Sequence, residues 1–117
     1  MMKAKAYLSE IRTEYVKIRD VREKLRAETD RGKQIELREY LKSVSAYYTG
    51  VMTDIWDTIE QLEPGNCRDI LLRKYVFLMS NEEIARELGY AVKSLYRHHS
   101  KAIRQIQRIL DGKRGAA

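Results

Sequence analysis

Between Leu37 and Leu62 the apolar residues return at alternating intervals of four and three: Leu37, Leu41, Val44, Tyr48, Val51, Ile55 and Leu62, with Thr58 at the one weak position. A heptad seam of this kind belongs to an α-helix, because only a helix brings positions three, four and seven apart onto one side. A single amphipathic helix draws most of its stability from packing, so the seam predicts a partner stripe. Residues 3–27 supply one. They contain neither Gly nor Pro, and Leu8, Ile11, Tyr15, Ile18 and Leu25 recur at helical spacing among charged neighbours. Thr29-Asp30-Arg31-Gly32 separates the two runs, since Gly tolerates the left-handed conformation that closes a helix and Asp caps or turns the chain. The expectation is an antiparallel, coiled-coil-like hairpin with its two seams zipped together. Trp56 and Ile59 lie off the strict seam and imply a further contact, either with the C-terminal part of the chain or with a second copy. Gly50 costs about 1 kcal/mol relative to Ala in a helix interior; close packing, a slight bend and simple tolerance are all open explanations.

The composition fits an all-α chain: 34% of the residues are charged, and six Gly and a single Pro are too few for the many turns of a sandwich or barrel. A length of 117 residues allows one compact domain, or one small domain with a helical extension. Cys67 is the only cysteine, which excludes an intrachain disulfide and a Cys-rich metal site and fits a reducing cytoplasm. Met1-Met2-Lys3-Ala4-Lys5-Ala6 has no apolar run, and no stretch approaches a membrane span, so the chain is expected to be neither secreted nor membrane-embedded.

Leu62-Glu63-Pro64-Gly65-Asn66 holds the single Pro and supplies a turn, dividing an N-terminal helical hairpin, residues 1–62, from a C-terminal helix-turn-helix domain, residues 63–117. Residues 67–78 read as a helix with Ile70, Leu71, Tyr75 and Leu78 on one side and Cys67 as a small buried hydrophobe. Ser80-Asn81-Glu82-Glu83 has the capping-box spacing and starts a new helix, residues 82–88, which turns Ile84, Ala85 and Leu88 inward and stops at Gly89. A last helix starts near Ala91 or Val92 and runs to about Leu110 on Leu95, His99, Ala102, Ile103, Ile106 and Leu110. Two helices joined by so short a Gly-containing turn make a helix-turn-helix, whose second helix enters the major groove of DNA.

The charge distribution points the same way. The net charge is +6, from 23 Lys and Arg against 17 Asp and Glu. From residue 91 onward there are seven bases (Lys93, Arg97, Lys101, Arg104, Arg108, Lys113 and Arg114) and one acid, Asp111, so the first 90 residues carry sixteen of each sign. A neutral body with one strongly basic end suits binding to a polyanion, where each phosphate contact needs a cation.

Leu62-x-Pro64, Arg68, Ile70-Leu71, Tyr75, Glu83-Ile84-Ala85-x-x-Leu88-Gly89, Ser94-Leu95 and Lys101-Ala102-Ile103 together resemble region four of bacterial sigma factors, which reads the −35 promoter element. With Ala6-Tyr7-Leu8-Ser9-x-Ile11-Arg12 opening the first helix, Leu88-Gly89-Tyr90, and Tyr96-Arg97-x-His99, nearly the whole chain is similar to the phage-encoded sigma-like regulators of the ArpU and RinA type, late transcription activators of phages and prophages. Nothing corresponds to the sigma region that melts the promoter, so the resemblance implies a transcriptional regulator and not a complete sigma factor. Ala91 and His98 depart from the sigma pattern, which usually has a capping Ser and an aliphatic residue there.

With Leu95, Ala102 and Ile103 facing the core, the outward face of the last helix carries Val92, Lys93, Tyr96, Arg97, Ser100, Lys101 and Arg104. Val92, Lys93, Tyr96 and Arg97, nearest the helix start, are the candidates for base edges, and they match the sigma positions that contact bases. Arg97 suits guanine O6 and N7, Lys93 either the same atoms or a phosphate, and Val92 a thymine methyl, while packing on the domain's own surface is an equal alternative for Tyr96. Ser94, Lys101 and Arg104 are the candidates for phosphates. His98 and His99 point about 100° apart on a helix and have no converging ligands, so no metal is expected. Without a phosphate loop, a nucleophile-base pair or paired acids, no catalytic residues and no cofactor are expected either. The expected partners are double-stranded DNA, host RNA polymerase, and a second copy through the N-terminal helices. The competing expectation is an interaction module, or a polymerase-binding adaptor, without DNA specificity of its own.

Overall fold

In the computed structural model, which describes the backbone of residues 3–115 and side chains through residue 112, the protein is all-helical. The first helical stretch is divided into α1 (Ala4–Leu8) and α2 (Glu10–Ala27) at Ser9. A three-residue turn leads to α3 (Arg31–Ile59), which Asp30 caps by accepting hydrogen bonds from the Gly32 and Lys33 amides at 2.8 and 3.2 Å. Gly32 therefore lies inside α3, and the turn is made by residues 28–30. The Gln34 side chain closes it by donating to the Glu28 carbonyl at 2.7 Å.

α2 runs back along α3. The phase of its buried stripe differs by one residue from the sequence expectation at a single point: Leu8, Ile11, Ile18 and Val21 are buried, but the stripe passes through Glu14, 3% exposed, while Tyr15 stands 41% exposed. The Glu14 carboxylate reaches out to Lys17 Nζ at 3.0 Å, so its charge is paired at the rim. Tyr15 instead lies on the flank of the seam against Tyr48, ring centroids 6.3 Å apart. On α3, Val44 and Ile55 are buried, and Leu37, Leu41, Tyr48 and Val51 are only half-buried. Thr58, the weak heptad position, is buried because its hydroxyl has polar partners: it donates to the Asp54 carbonyl at 3.0 Å and meets the Tyr7 hydroxyl at 2.7 Å. Gly50 has nothing within 4 Å of where a Cβ would stand, so close packing does not account for it; it lines an open groove between α1, α2 and α3.

After Pro64 the chain forms α4 (Asn66–Leu71), which widens into a π-helical turn, Leu72–Val76. The wider turn carries both Tyr75 and Val76 into the core, and the chain leaves it through Leu78, a non-Gly residue at φ 56°. Then come α5 (Asn81–Leu88) and α6 (Val92–Gly115).

The main apolar cluster spans the turn at Pro64. Ala4, Leu8 and Ile11 from α1 and α2, Ile55 and Ile59 from α3, Leu71, Tyr75 and Val76, and Ala102, Ile106 and Leu110 from α6 are all buried in it. α1 acts as the bridge. Its first amide donates to Gln107 Oε1 on α6 at 2.9 Å, and the Tyr7 hydroxyl donates to Asp54 Oδ2 on α3 at 2.6 Å. The contact expected of Trp56 and Ile59 is made within the chain: Ile59 is fully buried in this cluster, and Trp56 packs edge-to-face on Phe77 with centroids 5.4 Å apart. The hairpin tip joins none of this. The radius of gyration is accordingly 17.3 Å, against about 13 Å for a compact chain of this length. Among the described residues no helix is long and apolar enough to cross a membrane.

Candidate nucleic-acid interface

The geometry of α6 begins with the helix before it. Ser80 Oγ accepts from the Glu83 amide at 3.2 Å, and Glu83 Oε1 accepts from the Ser80 amide at 3.1 Å, so two otherwise unpaired donors at the start of α5 are satisfied reciprocally. Those bonds hold the Glu83 carboxyl below the usual carboxylate range. At the other end Gly89 adopts φ 74°, a conformation that costs a side-chain-bearing residue about 1–2 kcal/mol, and the Tyr90 amide closes on the Ala85 carbonyl at 2.8 Å. Ile84 and Ala85 then pack on Ile70 of α4 and Leu95 of α6 in a second, separate cluster.

α6 starts after the turn Gly89-Tyr90-Ala91. The Ala91 carbonyl accepts from the Leu95 amide at 3.1 Å, which makes Ala91 the cap position, and its methyl side chain cannot accept a hydrogen bond. His98 braces the turn: its ring stacks on Tyr90 at 5.1 Å, and its carbonyl accepts from the Cys67 thiol at 3.7 Å. His99 is half-buried and shares a 2.7 Å hydrogen bond with the Tyr75 hydroxyl. Burial, with Lys74 and Lys5 nearby, pushes the His99 imidazole down to about 4, and burial pushes the Tyr75 phenol up to about 12. Both groups are thus neutral across the physiological range. Each histidine has an intramolecular partner, and no set of three His, Cys, Asp or Glu among the described residues could hold a metal ion.

Leu95, Ala102, Ile106 and Leu110 pin one side of α6 to the body. On the other side Val92, Lys93, Tyr96, Arg97, Ser100, Lys101 and Arg104 are all exposed, with Tyr96 at 54%. Ser94 differs. It is half-buried, and its Oγ accepts from the Arg97 guanidinium at 3.2 Å, so in the free protein Arg97 is drawn back along its own helix. Ile103, expected in the core, is half-buried beside it. The side chains of Lys113 and Arg114 lie outside the described residues.

The structure brings three further residues to this face that sequence reasoning did not select. Lys5 of α1, Lys74 of the π-helical turn and Asn81 at the start of α5 line a cleft of about 320 Å³ whose other wall includes Tyr96, His99 and Ser100 of α6. Lys5 is 91 positions from Tyr96, and no local pattern links them. Compared with protein families, with curated proteins and with solved structures, the chain matches none.

Proposed function

We propose that the protein is a sequence-specific DNA-binding transcriptional regulator that presents the exposed face of α6 to the major groove. The carrying observation is the two-sidedness of that helix: one side is anchored by Leu95, Ala102 and Ile106, and the other offers Lys93, Arg97, Lys101 and Arg104 to solvent with Val92 and Tyr96 between them. Arg97 and Lys93 read bases, and Lys101 and Arg104 hold phosphates and set the register. Arg97 releases Ser94 to do so. The resemblance to sigma region four and to the phage regulators of the ArpU and RinA type supports a phage or prophage activator working with host RNA polymerase. The reading assigns no catalytic step and no cofactor.

Selection of bound duplexes from a random pool tests it. The expected result is one enriched motif, bound with an affinity that falls steeply with salt and weakens by about 1–3 kcal/mol in Arg97→Ala. A pool that returns no motif defeats the reading. A second reading, a protein-binding module or polymerase adaptor, is favoured by Ile35, Tyr40 and Tyr47, which stand more than half exposed on α3. On either reading the N-terminal helices are the proposed homodimer contact, and a monomer mass in sedimentation at micromolar concentration rejects that contact.

A further inference from the structure

The cleft beside α6 gathers cations from parts of the chain far apart in sequence, and none of its lining residues is acidic. Lys74 is not a loose surface charge there. It is half-buried, its Nζ donates to Asn81 Oδ1 at 2.7 Å, and it lies 6.0 Å from the centre of the Tyr75 ring. The ammonium is held below its ordinary range by burial first, then by the positive charges of Lys5 and Arg12; Glu82 opposes them as the weakest influence. The cleft therefore carries positive potential that no group in its wall neutralises. An anion would relieve it, and a phosphodiester is the anion that the adjoining face is proposed to meet.

We propose that Lys5 and Lys74 form a phosphate-binding cleft for the backbone of the same duplex whose groove α6 enters, with Ser100 as a hydroxyl partner. The proposal rests on the DNA-binding reading and adds to it a contact from the N-terminal part of the chain. The core shared by α1 and α6, together with the bond from the Ala4 amide to Gln107, fixes Lys5 relative to the helix in the groove. A phosphate seated between Lys5 and Lys74 then sets how deep, and at what angle, α6 lies. Neutral His99 adds no charge, so the two lysines supply the attraction.

The test is duplex binding by fluorescence anisotropy across a salt series for the full chain, Lys5→Gln, Lys74→Gln, the double variant and Arg97→Ala, on the selected site and on a scrambled duplex. Each Gln variant is expected to lose affinity about fivefold near physiological salt and to reduce the slope of log K against log salt by about 0.9, equally on both duplexes. Arg97→Ala is expected to weaken the selected site more than the scrambled one. Because Lys74 bonds Asn81, Lys5→Gln and Lys5→Glu carry the test should Lys74→Gln lower the melting temperature; Lys5 is exposed. Unchanged affinity and slope in the Lys5 variants, with Arg97→Ala still weakened, overturns the cleft and leaves the DNA reading standing. A wild-type chain that binds neither duplex overturns both. Loss of binding to polyglutamate with unchanged duplex affinity also overturns the proposal, in favour of an acidic protein partner.

Discussion

Two turns of three residues each join helices in this chain, and they do opposite things. Residues 28–30 reverse the direction so that α2 lies along α3, whereas Gly89-Tyr90-Ala91 leads α6 away from α5 after a brief contact at Leu95. The first turn works through the helix that follows it, with Asp30 capping α3. The second works through the helix that precedes it, with Gly89 closing α5 at φ 74° and Ala91 leaving α6 without a side-chain cap. Two helices held along their length bury a shared stripe, and at their far end Ile11, Ile55 and Ile59 also enter the cluster that α6 completes. A helix that leaves its neighbour must find another support, and α6 finds it in α1, α3 and α4. Being held by several elements on one side is what leaves its other side open to solvent.

The largest effect should come from that shared support. Ile106→Ala, at a fully buried position, is expected to cost about 2–5 kcal/mol in urea unfolding, against about 1 kcal/mol for the half-buried Leu41→Ala of the hairpin. Equal losses would erase the distinction between the two regions.

Between pH 7 and 5 the effect of acid should come from the second region through His99 on α6. The His99 imidazole falls from 6.5 to about 4 on folding. Below pH 6.5 the unfolded chain therefore takes up a proton that the native state refuses, and stability drops as pH falls, until the native group titrates near 4. Because the imidazole is only half-buried and solvent screens part of the effect, the expected loss from pH 7 to 5 is about 1 kcal/mol, read from urea midpoints, and His99→Gln should flatten it. A midpoint that rises on acidification in the wild-type chain, or an unchanged slope in His99→Gln, contradicts the assignment.

Glycines separate the regions further. Gly89→Ala should cost about 1–2 kcal/mol because its φ is positive, while Gly50→Ala, in open helix interior, should gain about 0.5–1 kcal/mol; thermal melts decide both. The smallest pair concerns the caps. Asp30→Ala is expected to lose about 1 kcal/mol, and Ala91→Ser to gain somewhat less than that. A neutral Ala91→Ser would mean that the start of α6 is already satisfied in another way.

The sequence by itself determined the helices, because helical periodicity, the Ser80 and Glu83 capping box and Gly89 are local features whose physics acts within a turn or two. It also determined the exposed face of α6, since Leu95 and Ala102 fix its rotation, although Ile103 and the candidate Ser94 are half-buried at the edges of that face. Tertiary structure decided what depends on contacts between distant residues. It placed Glu14 on the buried stripe in place of Tyr15, because a carboxylate can reach a rim lysine while a tyrosine is accommodated against Tyr48. It widened the helix at Leu72–Val76, and it made Trp56 and Ile59 intramolecular contacts. It also brought Lys5 and Lys74 to one cleft with Tyr96 and Ser100. Charge proximity across 91 residues leaves no periodic trace, because nothing local in the chain responds to it until the core that joins α1 to α6 has closed.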